Sequence, residues 1–118
     1  MAIRIDRFRF GSIQINGETY ERDVVIDRGE VRARKKKPSK RFRDEFGHTP
    51  LSTEEKIPWK CARLLIGTGA NGMLPVMPSV LDEATRRGVE VTVVRTEKAI
   101  QLLRDGNPDT NAVLHITC

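Results

Sequence analysis

The chain has 118 residues, 38% of them hydrophobic, and a net charge of +5; one domain of this size builds a core without a metal or a dense disulfide framework. No run approaches the roughly 18 apolar residues of a membrane span, and no basic-then-apolar leader opens the sequence. A soluble, cytoplasmic protein with no membrane partner is expected, and its two cysteines, Cys61 and Cys118, are too few for a zinc site of cysteine alone.

Ile3 and Ile5, then Phe8 and Phe10, alternate with polar residues and predict a strand with one buried face. Ser12–Ile15 and Glu18–Glu21 flank Asn16-Gly17, a pair suited to the positive φ values of a two-residue hairpin turn. Val24-Val25-Ile26 reads as a strand and Asp27–Glu30 as a turn. A further strand over Val31 to Arg34 is expected to run out into solvent.

Residues 1–60 hold 15 Lys/Arg against 10 Asp/Glu, whereas residues 61–118 hold 6 against 6. The excess lies mostly in Arg32–Arg43, where eight of twelve residues are basic and Phe42 is the lone aromatic. Composition of this kind predicts a loop or solvated arm within a single domain spanning 1–118. It offers phosphates a salt-dependent contact and no stacking platform, so only weak, non-specific nucleic-acid binding is expected of it. Ser52-Thr53-Glu54-Glu55 matches a capping box opening a short helix that Pro58 stops.

Ala62–Ile66 is an apolar run leading into Gly67-Thr68-Gly69-Ala70-Asn71-Gly72, spaced G-x-G-x-x-G. The run predicts a buried strand around which the rest of the chain is arranged. In a dinucleotide-binding fold such glycines open a helix whose N-terminus meets a pyrophosphate, and Arg95 would suit a 2′-phosphate. Here Pro75 and Pro78 delay the helix to Ser79, so a tight turn under a packed sheet is the favoured reading and no cofactor is assigned. Ser79–Arg87 is a helix stopped by Gly88, Val89–Val94 a strand, and Glu97–Leu103 a helix capped by Thr96. Asp105–Pro108 is a turn and Ala112–Ile116 the last strand.

Several of these stretches occur together in one family: Ile66-Gly67-Thr68-Gly69, Val76-Met77-Pro78-Ser79, Gly88-Val89-Glu90-Val91, Thr96-Glu97-Lys98-Ala99 and the ending His115-Ile116-Thr117-Cys118. Phe10-Gly11, Gly17, Tyr20 and Asp23 belong to the same set. Over nearly its whole length the chain resembles a small α/β family of largely unknown function. Its animal members include the adipogenesis-associated domain protein and a mitochondrial complex I assembly factor. The resemblance implies a three-layer fold around a mixed five-stranded sheet of order 2-1-5-3-4, the last strand antiparallel to its neighbours, with N-terminal hairpins added. It also implies that Cys61 and Cys118, flanking two antiparallel neighbours, come within disulfide range.

His48 and His115 are candidate bases or ligands, with a backbone-bonded loop histidine and a satisfied sheet-face histidine as the default readings. The spacing of the two histidines and two cysteines matches no metal site, and none is assigned. No catalytic constellation is visible. The first expectation is therefore a non-enzymatic interaction or assembly module with an unknown protein partner, monomeric or weakly dimeric. The alternative is a small anion or nucleotide-type ligand at the rim formed by Gly67, Thr68, Gly69, Ala70, Asn71, Gly72, Arg95 and Thr96, beyond the carboxyl ends of two strands.

Overall fold

The computed structural model describes residues 3–106 and 108–118. Among these described residues, eight strands form two sheets. Strands β1 (Ile5–Arg9), β2 (Ser12–Ile15) and β3 (Glu18–Tyr20) make an antiparallel meander. Its second hairpin turns through Asn16 at φ 51° and Gly17 at φ 81°, the left-handed pair that this dipeptide favours. The first strand is less regular than alternation predicts: its pairing shifts between Ile5 and Arg7, so Ile5 is buried while Phe10 stays 61% exposed.

The main sheet contains β4 (Val24–Asp27), β5 (Glu30–Ala33), β6 (Arg63–Thr68), β7 (Glu90–Val94) and β8 (Thr110–His115), in the order β5-β4-β8-β6-β7. Counting within this sheet alone, that is the expected 2-1-5-3-4. The direction of the last strand differs from expectation on one side. It runs antiparallel to β4 but parallel to β6, with Arg63 opposite Thr110 and Thr68 opposite His115. A long crossover through a helix delivers parallel strands, and β8 follows one.

Alternation along these strands sends side chains to two cores. Val24, Ile26, Leu65, Ala112 and Leu114 face the meander and helix α3 (Thr96–Arg104), where Ala99 and Ile100 complete the packing. Val25, Leu64, Ile66 and Val113 face helix α2 (Pro78–Arg87), through Val80 and Ala84, and the loop carrying Leu51 and Ile57. The sheet is thus covered on both faces, the three-layer arrangement expected. Among the described residues no helix is long and apolar enough to cross a membrane.

Three local expectations fail for identifiable reasons. The basic run is built into the fold rather than waving free: it contains a 3-10 helix at Lys37–Phe42, followed by α1 (Arg43–Phe46), with Ser39 and Arg34 buried. Arg34 therefore turns inward where the strand was expected to meet solvent. Ser52–Glu55 forms turns, not a capped helix, because Glu55 points into the interior instead of back to Ser52. Thr96 is the first residue of α3 and Arg95 its N-cap, since the Thr96 hydroxyl is engaged elsewhere. The turn expected at 105–108 includes Asn107, which lies outside the described residues.

Candidate functional site

One row of side chains crosses four strands at a single end of the main sheet. Ala33, Val24 and Leu114 are opposite one another on β5, β4 and β8. The next step along places Arg34, Asp23 and His115 side by side, with Thr68 of β6 opposite His115. This is the carboxyl end of the parallel strands β6 and β8, where ligands bind in open α/β sheets.

The row is wired by charged hydrogen bonds. Arg34 donates from Nε to Glu55 Oε1 and from Nη2 to Glu55 Oε2, each at 2.8 Å, and from Nη2 to the Pro50 carbonyl at 3.0 Å. Its Nη1 donates to Asp23 Oδ2 at 2.8 Å. Burial works against the charge on Arg34, but Glu55 and Asp23 outweigh it and raise its pKa. Ser39 donates to Glu55 Oε2 at 2.5 Å and shares a bond with Ser52 at 2.6 Å. The segment expected to be a loop or solvated arm is thereby tied to the sheet by its own Arg34 and Ser39.

On the other side of Asp23, Oδ1 accepts the Ile116 N–H at 3.0 Å and Oδ2 lies 2.8 Å from His115 Nδ1. Burial pushes the Asp23 carboxyl upward, yet His115, the Ile116 N–H and Arg34 together hold it below its ordinary value. An ionised Asp23 accepts only, so Nδ1 of His115 carries the proton and Nε2 is left with the lone pair when the ring is neutral. Thr117 Oγ1 sits 3.2 Å from that Nε2. The three residues form an unbroken Asp-His-Thr chain leading from the buried Arg34 outward.

His115 and Thr117 lie on the floor of a cleft of about 300 Å³ whose walls carry Lys36, Lys40, Arg43 and His48. A second hollow of about 540 Å³ adjoins it and shares Lys36, Lys40 and Thr117. No acidic residue lines the first cleft among the described residues. The nearby carboxylates of Asp23 and Glu55 are already paired with Arg34. Both histidines of the chain line this cleft beside Lys36, Lys40 and Arg43, and Glu21 lines the adjoining hollow. Cys118 lines the same cleft.

The glycine rim forms the tight turn favoured from the sequence, and its backbone donors bond to the chain itself. The Gly69 N–H donates to Thr96 Oγ1 at 2.8 Å, Ala70 to the Thr117 carbonyl at 2.7 Å, and Asn71 and Met73 to the Cys118 carbonyl at 3.2 and 2.9 Å. Gly72 donates to Gly69. These donors are occupied by the chain itself, so a cradle for an anion made from them is not what this turn provides. Instead the glycines allow close approach. A Cβ on Gly67 would come within 2.8 Å of Thr96 Oγ1, and one on Gly69 within 2.5 Å of the Cys118 backbone. Thr68 donates to the Val94 carbonyl, and Thr96 Oγ1 donates to the His115 carbonyl at 2.5 Å, so the turn buttresses the cleft from behind. Arg95 packs its stem against Gly72 and does not line the cleft.

The cysteine pairing is overturned by the direction of β8. In the parallel register Cys61 lies beyond the amino end of β6 and Cys118 beyond the carboxyl end of β8, both as free thiols. The ladder between them spans roughly 16 Å, far beyond the reach of a disulfide. Burial raises the pKa of Cys61, with the nearby Asp109 and Asp27 carboxylates acting in the same direction.

Sequence reasoning placed Arg34, Lys36, Lys40 and Arg43 only in a basic run with weak phosphate contacts, and took Glu55 for part of a helix cap. Asp23 and the His115–Cys118 ending were among the residues carrying the family resemblance, and their convergence at one place was the available signal.

Solved structures share this fold. A conserved hypothetical protein of Pyrococcus horikoshii is 28% identical, with 98% of this chain and 99% of that one aligned at a TM-score of 0.80. A protein called MT938 is 24% identical over 99% and 100% of the two chains, at 0.73. A Bordetella pertussis protein described as a Mth938-like domain is 16% identical over 95% and 84%, at 0.63. The latter two likenesses speak to fold alone. No curated protein matches the chain. Residues 5–103 match the family described as "Protein of unknown function (DUF498/DUF598)", and on that span the chain belongs to the DUF498/DUF598 family.

Proposed function

We infer that the protein binds a small anionic ligand, carrying phosphate or carboxylate, in the cleft above His115. The observation that carries this reading is the cluster of Lys36, Lys40, Arg43 and His48 around a cleft at the carboxyl end of the sheet, with no acidic residue lining it among the described residues. Like charges gathered in a cleft repel one another, and an anion relieves that repulsion while gaining several charge-assisted hydrogen bonds. The reading takes up the anion that the sequence offered as the alternative to an interaction module, and moves it from the glycine turn to the neighbouring cleft. Arg34 does not serve it directly, because its hydrogen bonds run to Glu55, Asp23 and Pro50.

Thermal unfolding with added phosphate, pyrophosphate, succinate or citrate, against sodium chloride at matched ionic strength, tests the reading. A saturable rise in Tm with at least one of them is expected, and Lys40→Ala with Arg43→Ala should remove it. Equal responses to chloride and to every multivalent anion would overturn it.

A further inference from the structure

We propose that Asp23, His115 and Thr117 form a nucleophilic relay in which the Thr117 hydroxyl accepts an acyl group from an anionic ester bound in the cleft. The proposal rests on the anion-binding reading and adds a reaction to it. Three observations meet at one place. Thr117 Oγ1 is 3.2 Å from His115 Nε2, His115 Nδ1 is 2.8 Å from Asp23 Oδ2, and Asp23 is fixed by Arg34 and the Ile116 N–H. That is the order of hydroxyl, imidazole and carboxylate by which unrelated folds activate a hydroxyl. Residues two apart on an extended chain point the same way, which is why Thr117 and His115 can form two members from one strand end. Both stand on the floor of the cationic cleft.

The step balances within the site. Thr117 Oγ bonds to the acyl carbon while its proton passes to His115 Nε2, and the carbonyl π pair moves onto oxygen. The cations of Lys40 and Arg43 favour that developing negative charge. The oxyanion then re-forms its double bond, the ester C–O bond breaks, and the leaving alcohol takes the proton from His115. Water, deprotonated by the same Nε2, afterwards attacks the acyl-threonine and restores the hydroxyl. Asp23 stays ionised throughout and orients the ring. The cationic walls select esters that carry a second, anionic group.

Mono-4-nitrophenyl succinate is the probe. The full chain should release a burst of nitrophenolate approaching one per chain, and peptide mass spectrometry should find the succinyl group on Thr117. Thr117→Val and His115→Gln should each slow the burst by about 100-fold or more, Thr117→Ser should move the succinyl group onto the new hydroxyl, and Cys61→Ser, outside the cleft, should leave the burst unchanged. Neutral 4-nitrophenyl acetate should react roughly tenfold more slowly, having no charge for the cleft to hold. A succinyl group on Cys118 or a lysine instead of Thr117, or no burst at all, overturns the relay whatever the variants do. Succinate binding, followed by Tm, separates the two levels. Binding without acylation defeats the relay and leaves the anion site standing, while absence of binding by every anion defeats both.

Discussion

Arg34 and Glu55 face each other through two parallel hydrogen bonds, with both side chains almost wholly withdrawn from solvent at 2% and 4% exposure. Planar fork-to-fork contact is the geometry that best offsets the cost of removing two charges from water. The pair closes the loop between β5 and the segment before β6, which places Lys36, Lys40 and His48 around the cleft.

Removing one member leaves the other charge buried without its partner. Glu55→Ala should cost about 3–5 kcal/mol in urea unfolding. By contrast Arg41, which pairs with Glu54 on the surface, should lose less than about 1 kcal/mol on substitution by Ala. Similar midpoints for the two variants would contradict the buried pairing.

Asp23 makes stability depend on acid. Its folded pKa lies below the ordinary 3.8. Its contribution is therefore complete above the unfolded value and is lost as pH falls through the folded one. The Tm of the native chain should drop as pH is lowered below about 4. Asp23→Asn should start lower at neutral pH and show a shallower fall. Parallel curves for the two proteins would show that Asp23 is not held down by its partners.

The hairpins and the two longer helices, α2 and α3, were readable because each rests on local chemistry. Asn16-Gly17 carries its turn within two residues, and Gly88 ends α2 in the left-handed conformation with φ 70°. The cleft was not readable, because it depends on pairings across distance. Arg34 looks like one more cation in a basic run until Glu55, 21 residues later, is seen beside it. Ser52 and Glu55 have the spacing of a cap, but Glu55 has a stronger partner in Arg34 than in a backbone N–H. The direction of β8 was likewise hidden, since an apolar run of that length packs equally well either way along its neighbour.

Gly69 and Gly11 both have positive φ, at 106° and 83°, but only Gly69 is crowded. Gly11→Ala should cost roughly 1–2 kcal/mol from backbone strain alone. Gly69→Ala adds contacts of 2.5 and 2.6 Å with the Cys118 and Thr117 backbone and should cost at least about 3 kcal/mol. Chemical denaturation of the two variants measures the difference. Loss of fold at Gly69, rather than loss of a ligand in an intact fold, is the expected result.

Thiol titration of the unreduced chain in denaturant should find both cysteines reactive, and prior reduction should add none. Fewer than two thiols before reduction in monomeric protein would place Cys61 and Cys118 together, against the parallel register of β6 and β8.

Because β8 lies between β4 and β6, the sheet acquires its middle strand last as the chain is synthesised from its amino end. Until residues 110–115 emerge from the ribosome, the nascent chain holds two unjoined pieces: the β4–β5 hairpin with the meander, and the β6-α2-β7-α3 unit. Each has an open strand edge that β8 covers, so the emerging polypeptide carries unsatisfied pairing capacity until β8 joins it. The Asp23–His115 contact spans 92 residues and forms only with that final insertion. Completion of the cleft thus coincides with closure of the sheet, and a ribosome stalled before residue 110 holds neither.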